Sequence, residues 1–359
     1  MKSNYKQLGQ FIRQVDVRNS EGKEENLLGV SVQKKFIPSI ANTVGTDFKK
    51  YKVVKKGQFT YIPDTSRRGD KIGIALLEDY EEGLVSNVYT VFEIIDEKQL
   101  IPEYLMLWFS RPEFDRYARF KSHGSVREVM DWDEMCNVEL PVPPYEKQKE
   151  IVDGYKAITE RIALKQKIND NLDASALAIY RKYFVEGIKP DDLPLGWSMG
   201  TLKDIYQFQY GKGNTNPDNG GQYPIYGSNG VIGGYHEYNN ENEPVIGHIG
   251  AAGSLNFAFG KHYVTYNGIM CNILVPRNIY FGYLTLYAQN LAAQVRGSTQ
   301  PFISYDMLYE VKTVLPTDEV LDDFHSKISP IMEHKREILS EITKLEQMQI
   351  IMQEQLSSF

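Results

Sequence analysis

The sequence predicts an α+β protein in which two globular regions are separated by two long antiparallel helices that pair as a coiled coil, forming a pseudo-two-fold tandem repeat. Three observations support this prediction. Short runs of β-branched and aromatic residues, bounded by glycine, proline or aspartate, indicate strands. Two long stretches carry apolar residues at helical spacing. The second of these stretches, together with the segment before it, repeats the first.

The repeat becomes visible when the segment beginning at Gly124 is written above the segment beginning at Gly297. Without a gap, this alignment pairs Trp132 with Tyr305, Asp133 with Asp306, Met135 with Leu308, Val138 with Val311 and Pro143 with Pro316. The same register continues into the long helices. We therefore expect the two segments to be equivalent structures that each lead the chain into a helix.

The long helices carry apolar residues in alternating steps of three and four, which form one narrow stripe. Such a stripe is typical of a helix that pairs with another helix, here over roughly 60 Å at 1.5 Å per residue. The equivalent pairing positions are Ile151, Tyr155, Ile158, Leu172 and Ile179 in the first helix and Phe324, Ile328, Ile331, Leu345 and Met352 in the second. The alternative is two amphipathic helices packed on separate cores, and the copied register favours the coiled coil.

Polar residues interrupt this stripe in both helices. They are Lys165 and Asn169 in the first helix and Lys335 and Gln349 in the second. Buried polar positions in a helix pair reduce stability and can fix the register and the partner. We expect these four residues to act in that way.

These patterns divide the chain into four segments. Residues 1–143 form the first globular region, 144–186 the first spacer helix, 187–316 the second globular region and 317–359 the second spacer helix. In the first region, the runs at 53–54, 59–62, 72–75 and 88–92 are predicted to be strands, and Pro102 opens a helix. In the second, residues 210–253 are rich in glycine, asparagine and tyrosine, which predicts many turns. Between their shared flanks the regions have no evident similarity.

The composition is that of a soluble globular protein, with 42% hydrophobic and 24% charged residues in 359. The polar N-terminal stretch is unlike a signal peptide and no apolar run could span a membrane, so we expect a cytoplasmic protein with no membrane partner. A net charge of −7 predicts only a modest contribution to neutralising DNA phosphates. Cys136 and Cys271 lack partners at metal-ligand spacing, so we expect no metal site.

The sequence offers little sign of a catalytic set, and we expect no catalytic residues. The run Gly247–Gly253 resembles a glycine-rich nucleotide loop, but no acidic residue follows at the expected distance, which favours a tight turn. The main enzymatic alternative is a nuclease that uses Asp64, Asp96 and Lys98, because a carboxylate pair with a lysine can hold Mg²⁺ and activate water. The pattern is short and common.

Residue types suited to DNA recognition occur in both globular regions. Arginine pairs bidentately with guanine, and asparagine or glutamine with adenine. The candidates in the first region are Lys34, Lys35, Arg67, Arg68, Lys71, Arg119, Lys121, His123 and Arg127. Those in the second are Lys212, Asn214, Asn229, His248, Lys261, Arg296 and Gln300. A surface lysine run is more often a solvated face, and loop asparagines more often bond to backbone, so both explanations stay open.

Two unlike modules on a rigid spacer would form a bivalent reader of two targets at a fixed separation. Three sets of residues carry a resemblance to a known protein family. They are Gly57–Tyr61 with Val85–Phe92, Tyr226–Tyr235 with Val245–Gly253, and the repeated helix entries Leu140–Pro143 and Val314–Pro316. In these stretches the chain resembles the specificity subunits of type I restriction-modification systems, over essentially its whole length. One departure is Thr317, which stands where the first helix entry has a second proline.

The resemblance implies two target-recognition domains, each reading one half of a bipartite site in double-stranded DNA. It also implies that the helices set the spacing and dock two methyltransferase subunits, which restriction/translocase subunits would join. No cofactor is then expected in this chain, and S-adenosylmethionine, ATP and Mg²⁺ would belong to the partners. A helical adaptor with no DNA role is the remaining alternative, and it would show no sequence preference.

Overall fold

The computed structural model describes residues 5–39, 45–65, 71–122, 128–213, 220–297 and 300–358. The chain divides into two compact units: unit 1 is Met1–Ala163 with Thr343–Phe359, and unit 2 is Leu164–Ile342. The division falls inside both long helices, so each helix contributes one part to each unit. The four segments predicted from the sequence separate helix from globular region, and their boundaries stay a prediction.

Unit 1 contains short strands and helices ahead of the first long helix. In chain order these are β1 (Tyr5–Gln7), β2 (Ile12–Val15), β3 (Leu28–Val30), β4 (Phe36–Pro38), β5 (Lys52–Lys55), β6 (Phe59–Tyr61), β7 (Ile74–Leu76), β8 (Glu82–Val85), β9 (Thr90–Ile94), α1 (Pro102–Phe109), α2 (Pro112–Lys121), α3 (Trp132–Cys136), β10 (Glu139–Pro141) and α4 (Tyr145–Phe184). The predicted strand runs overlap β5, β6, β7 and β9, although β7 and β9 each begin two residues later than predicted.

Antiparallel pairing organises unit 1 into a sheet of order β2-β9-β6-β7 and the smaller pairs β1-β10, β3-β4 and β5-β8. The sheet is apolar where it meets the helices, because Phe59 and Phe92 are fully buried with ring centroids 4.9 Å apart. Phe109 of α1 packs edge-on against Phe59 at 5.9 Å. Ile151 of α4 and Leu356, which directly follows α7, belong to the same core, so the ends of both helical segments help to close unit 1.

The start of α4 is fixed by a buried glutamine. The Gln148 side chain is fully buried, and its Oε1 accepts a hydrogen bond from the Ile101 N–H at 2.9 Å. Its Nε2 donates to the carbonyls of Gln99 and Pro143, both at 2.8 Å. A buried amide whose donors and acceptor all have hydrogen-bond partners is stable and is held in one orientation. Gln148 therefore ties the beginning of α4 to the beginning of α1.

Unit 2 continues the chain through α4 and ends inside the second long helix. Its further elements are β11 (Ser198–Thr201), β12 (Tyr206–Tyr210), β13 (Tyr223–Gly227), β14 (Gly230–Tyr235), β15 (Asn240–Gly247), β16 (Leu255–Val264), β17 (Gly268–Ile273), α5 (Ile279–Ala288), α6 (Tyr305–Tyr309), β18 (Lys312–Leu315) and α7 (Asp318–Gln355). The main sheet has the order β12-β17-β15-β16-β13-β14, and β13 pairs with β16 in the parallel sense. Together the two units confirm the predicted α+β class.

The repeated segments have locally equivalent structures, as the alignment predicts. Helices α3 and α6 begin and end at aligned positions, 132 with 305 and 136 with 309. Each follows a capping side chain, Asp131 or Ser304, that accepts a hydrogen bond from a backbone N–H in the first turn. The strands that follow, β10 and β18, pair antiparallel with β1 and β11. Helices α4 and α7 then begin at the aligned positions 145 and 318.

The two long helices pair in the antiparallel sense in each unit. In unit 1, Gln353 donates to the Tyr155 hydroxyl at 3.1 Å and Gln349 to the Thr159 hydroxyl at 2.7 Å. In unit 2, the Tyr183 hydroxyl donates to Asp323 at 2.6 Å. Later positions on α4 thus meet earlier positions on α7.

The predicted pairing positions all lie on the inner side of the helices, but they differ in burial. Ile151, Phe324, Ile328 and Leu345 are buried, whereas Tyr155, Ile158, Leu172, Ile179, Ile331 and Met352 are half-buried. In unit 2, Ala176, Tyr180, Phe184 and Met332 are also buried, although they are not among the predicted pairing positions. The stripe is broader there than a coiled-coil stripe, because it also covers the globular core.

The polar positions of the stripe are mostly paired across the two helices. Lys165 forms an ion pair with Glu341, and Lys335 forms one with Asp173. The Lys335 side chain is 9% exposed, and an ion pair in that setting is favourable only when the two partners meet. Such pairs disfavour other registers. Asn169 is different, because its Oδ1 is buried without a hydrogen-bond partner among the described residues.

Among the described residues, no helix combines the length and apolar character required to cross a bilayer.

Met332→Ala should destabilise unit 2 by about 2 to 5 kcal/mol, because Met332 is 1% exposed inside the core. The neighbouring change Ile331→Ala should cost less, since Ile331 lies half-buried at the edge of the same core. Chemical denaturation of the two variants measures the difference. Equal losses of stability, or a larger loss for Ile331→Ala, would contradict the observation that Met332 lies on the side of α7 that faces the core.

Candidate nucleic-acid interface

In unit 1, two loop segments that carry predicted DNA-binding residues are anchored against each other. The Met130 N–H donates to the Pro63 carbonyl at 3.0 Å, and Asp64 forms a β-bridge with Val129. The Thr65 N–H donates to the carbonyl of residue 128 at 2.9 Å, and the hydroxyls of residues 65 and 122 are 2.9 Å apart. The anchors of segments 66–70 and 123–127 are therefore in contact.

Unit 2 has an anchor of the same kind at the aligned position. The Ile303 N–H donates to the His248 carbonyl at 3.0 Å, and Ile249 forms a β-bridge with Phe302. The alignment of the repeat pairs residue 130 with 303 and residue 129 with 302. The loop after His248 in unit 2 thus takes the place of the loop after Pro63 in unit 1.

A hairpin in unit 2 presents two predicted residues beside this anchor. Arg296 and Phe302 exchange both backbone hydrogen bonds, at 3.0 and 2.8 Å. Gly297 adopts φ = 90°, a left-handed conformation that glycine accepts without strain. The side chains of Arg296 and Gln300 are exposed.

The glycine-rich run of unit 2 is a turn, and a strand hairpin packs against it. The Gly253 N–H donates to the Gly247 carbonyl at 2.9 Å, and the Ser254 hydroxyl donates to the Ser228 carbonyl. Ser228 and Asn229 form the turn between β13 and β14, where Asn229 is exposed. Asn229 is therefore held at the edge of the same loop cluster.

Lys212 extends the cluster from the end of β12. Its N–H donates to the Val264 carbonyl at 3.0 Å, and the Tyr266 N–H donates to the Gly213 carbonyl at 3.0 Å. The Tyr266 ring is 41% exposed and lies 5.7 Å from the His248 ring. An exposed aromatic ring beside an exposed lysine suits a nucleic-acid surface.

Several predicted cations are exposed and have no ion-pair partner within the described ranges. These are Lys35 and Lys71 in unit 1 and Lys212 and Arg296 in unit 2. Lys261 is exposed too, with its ammonium 4.4 Å from the Tyr238 ring centroid, and its hydrogen bond to the Tyr238 side chain raises the Lys261 pKa. These cations are available to phosphates or base edges without first breaking an ion pair.

Two other predicted cations are already paired. Arg119 lies 2.8 Å from Glu128, and Lys121 lies 3.5 Å from Glu134. The Arg119 pair is exposed on both sides, and such pairs contribute little stability. A phosphate would therefore compete with these carboxylates at modest cost.

Lys34 does not fit the DNA-binding role predicted for it. Its side chain is 7% exposed, and its ammonium donates to Asp115 at 2.7 Å and to the Phe109 carbonyl at 2.5 Å. Burial lowers the Lys34 pKa, and the hydrogen bond and charge of Asp115 oppose that shift. Asp115 also accepts the Ile72 N–H at 3.2 Å, so the pair holds Ile72 against α2. Lys34 is a structural cation.

His248 is likewise occupied inside its unit. It is 6% exposed, its Nδ1 lies 2.6 Å from the Ile303 carbonyl, and its ring is 4.4 Å from Tyr210. These contacts hold the glycine loop against the hairpin, so His248 positions other residues. The remaining predicted residues Arg67, Arg68, His123, Arg127 and Asn214 lie outside the described residues.

The sequence reasoning missed Phe120, which is 82% exposed beside Arg119 and Lys121. Phe114 and Ala118 of α2 are buried at a spacing of four residues, which sets the inner face of that helix. Phe120 does not lie on that inner face. The helical spacing of the sequence could therefore have predicted that Phe120 is exposed. Tyr266 was missed because tyrosines are frequent throughout this region.

The residues of the nuclease alternative have other roles or lack a metal-binding arrangement. Asp96 accepts the Lys98 N–H at 3.0 Å and the Gln99 amide at 2.9 Å, and these bonds lower the Asp96 pKa. The carboxylate thus caps the turn before α1. Over the described part of the chain, no group of three histidine, cysteine, aspartate or glutamate residues is arranged to hold a metal ion.

The family model of the type I restriction modification DNA specificity domain matches this chain twice, at residues 9–174 and 194–356. A curated relative is the type I restriction enzyme MjaIX specificity subunit of Methanocaldococcus jannaschii, 24% identical over 284 residues. That match covers 67% of this chain but 64% of the relative, slightly under two thirds of its length.

Two further proteins are similar to the chain. The HindI specificity subunit of Haemophilus influenzae is 26% identical over 137 residues, covering 38% of this chain and 29% of that subunit. The crystal structure of a type I restriction-modification S subunit from M. genitalium aligns with a TM-score of 0.58 at 14% identity, covering 98% of this chain and 95% of that one. At that identity the likeness concerns the fold.

Lys34→Met should destabilise unit 1 by about 3 kcal/mol or more, because it leaves Asp115 buried without its counter-charge. The matched control is Lys35→Met at the next residue, which is exposed and should change stability by no more than about 0.5 kcal/mol. Denaturant titration followed by tryptophan fluorescence measures both. Equal stability of the two variants would show that Lys34 is not the buried cation described above.

Proposed function

This chain belongs to the family of type I restriction modification DNA specificity domains, and on that basis we propose that it reads a bipartite sequence in double-stranded DNA. Unit 1 carries the reader of one half-site and unit 2 carries the reader of the other. The chain itself has no catalytic role. The observation that carries this proposal is the repeated frame: the same anchor, short helix, strand and long helix occur in both units, with unlike inserts.

The loop clusters on the two anchors supply the residues for base reading. In unit 2, Arg296, Gln300 and Asn229 are exposed around one anchor and offer hydrogen-bond groups that suit guanine or adenine edges. Lys212 beside them suits a phosphate. In unit 1, we propose that Lys71, Arg119 and Lys121 act with the predicted residues of segments 66–70 and 123–127. Lys35 and Lys261 would contribute phosphate contacts.

The helix pair has a separate task in this proposal. The antiparallel register of α4 and α7 sets the number of base pairs between the half-sites, because both helices run through both units. The outer faces of these helices dock two methyltransferase subunits, and restriction/translocase subunits complete the complex. S-adenosylmethionine, ATP and Mg²⁺ then belong to those cytoplasmic partners. The net charge of −7 fits, since the partners would supply further phosphate contacts.

The alternatives receive less support. A nuclease would need a metal site, and Asp96 is engaged in its own turn. A helical adaptor without a DNA role would not explain why exposed arginine and amide side chains gather around one anchor in unit 2. Sequence preference in DNA binding separates the adaptor from the reader, and Mg²⁺-dependent cleavage by this chain alone would identify a nuclease.

Exchange of the unit 2 insert should alter one half-site only. The graft should run from Tyr206 to Phe302, because Arg296 and Phe302 bond to each other and must be transferred together. Replacing this range with the insert of another specificity subunit should change one half of the methylated motif and leave the other half and the gap intact. Sequencing of methylated DNA in cells provides the measurement. A graft that changed both half-sites, or the gap, would contradict two independent readers.

Arg296→Ala should relax the preference at one base pair of the second half-site by about 1 to 3 kcal/mol, the range for a bidentate base contact. Binding to the first half-site should not change. Arg277→Ala is the matched control in the same unit, because Arg277 lies 3.3 Å from Asp318 and 3.4 Å from Asp322. Competition binding with single-base variants of the site measures both. A uniform loss over all sequences would assign Arg296 to phosphate contact.

A further inference from the structure

Unit 1 contains a cavity of about 510 Å³ whose lining shares Lys121 with the residues proposed to read DNA. Tyr5, Trp108, Phe114 and Tyr117 provide aromatic walls, and Arg111 and Ser357 also line it. Cavities that bind small ligands have about this volume, with mostly apolar walls and a few polar groups. The size and lining therefore fit a ligand with one flat ring and one charged end.

Arg111 is the unusual member of this lining. Its side chain is 7% exposed, and its guanidinium carbon lies 4.2 Å from the Trp108 ring centroid. The Nε is buried with no hydrogen-bond partner, and within the described ranges the guanidinium makes no hydrogen bond. A buried cation whose N–H groups lack acceptors is unfavourable unless something else supplies them. Arg111 thus lacks an acceptor on the cavity side.

The neighbouring carboxylate only partly compensates this charge. Glu113 Oε2 lies 3.6 Å from the Arg111 Nε, too far for a hydrogen bond. The other oxygen of Glu113 accepts from Arg116 at 3.0 Å. The second cation in the lining, Lys121, has Glu134 at 3.5 Å. Of these two lining cations, Arg111 is the one with a buried donor, Nε, that has no hydrogen-bond partner.

The repeat supplies an internal comparison for this cavity. The ungapped alignment places Phe184 of unit 2 at the position of Ser357 in unit 1. Phe184 is 3% exposed, and its ring packs 4.8 Å from Phe281 and 5.8 Å from Trp197. Alignment of α1 with α5 through Tyr104 and Tyr283 places an asparagine, residue 290, at the position of Arg111. Both the small residue and the buried charge are thus specific to unit 1.

We propose that this cavity binds a carboxylate carried on an aromatic stem. The guanidinium of Arg111 offers parallel N–H groups in the geometry of a carboxylate, while Trp108, Phe114 and Tyr117 enclose the ring. A phosphate dianion fits less well, because Glu113 and Glu139 also line the cavity. The carboxylate comes either from a free aromatic acid or from an acidic residue beside an aromatic one in a partner protein. Lys121 lines this cavity and is also among the residues proposed to read DNA, whereas Arg111 is not.

The first experiment titrates the full chain with 3-phenylpropionate and with its neutral amide, 3-phenylpropionamide, by calorimetry. The acid should bind saturably and at least tenfold more tightly than the amide. Arg111→Gln should weaken acid binding at least tenfold. Arg116→Gln is the matched control, since Arg116 shares Glu113 but is 71% exposed, and it should bind like the parent. Equal affinity for acid and amide, or unchanged binding in Arg111→Gln, would overturn the proposal.

A second variant keeps the test decisive if Arg111→Gln folds poorly. Ser357→Phe copies the residue of unit 2 and leaves Arg111 in place, so it should fill the cavity and abolish acid binding without lowering the melting temperature. Retained binding in this variant would overturn the proposed location. Titration with acetyl-Phe-Glu-amide, against acetyl-Phe-Gln-amide, separates the two sources. If only acetyl-Phe-Glu-amide binds, the ligand is a segment of a partner protein. If the free acid binds, the ligand is a small molecule. If neither binds, the proposed site is contradicted.

Discussion

The antiparallel pairing of α4 with α7 is the constraint on which the rest of the structure depends. Each helix contributes to both units. Unit 1 is therefore built from two separate pieces of chain, whereas unit 2 is one continuous piece with a part of a long helix at each end. In unit 1 the core includes Ile151 of α4 and Leu356, the residue directly after α7. In unit 2 it takes Tyr180 from α4 and Phe324 from α7. A shift of register between the helices would move side chains out of both cores.

This constraint explains how the frame can repeat while the inserts differ. The helix pair, the short helix before each long helix and the strand between them fix the ends of each insert. The anchors at Pro63 and His248 then tie each insert to the aligned residues Met130 and Ile303. Since the frame supplies the stability, exposed loop residues can vary without loss of the frame. The residues proposed to read DNA can therefore differ between the two units, as the proposed function requires.

The sequence predicted the features that depend on pattern. The ungapped alignment located the ends of α3 and α6 and the starts of both long helices. It could do so because helical spacing and repeated apolar positions are visible in the amino-acid sequence itself. It also placed Lys165 and Lys335 within the stripe, and both form ion pairs across it. Features that depend on tertiary contacts were less accessible.

Lys34, Met332 and Gln148 show why their burial could not be predicted from the sequence. Lys34 and Lys35 are identical in type and adjacent, and only the position of Asp115, far along the chain, buries the first of them. Ile331 and Met332 are adjacent apolar residues, and the globular core of unit 2, not the partner helix alone, decides that Met332 is deeper. Gln148 looks like a surface residue in the sequence, yet it is fully buried because three backbone groups satisfy its amide.

The proposed function requires two readers on one frame that recognise two separate blocks of bases. This can be measured by selecting bound duplexes from a random DNA library with the complex of this chain and the proposed methyltransferase subunits. We expect two short specified blocks separated by a fixed number of unspecified base pairs, with the same gap in every selected molecule. A single continuous motif, or blocks at variable separation, would contradict it.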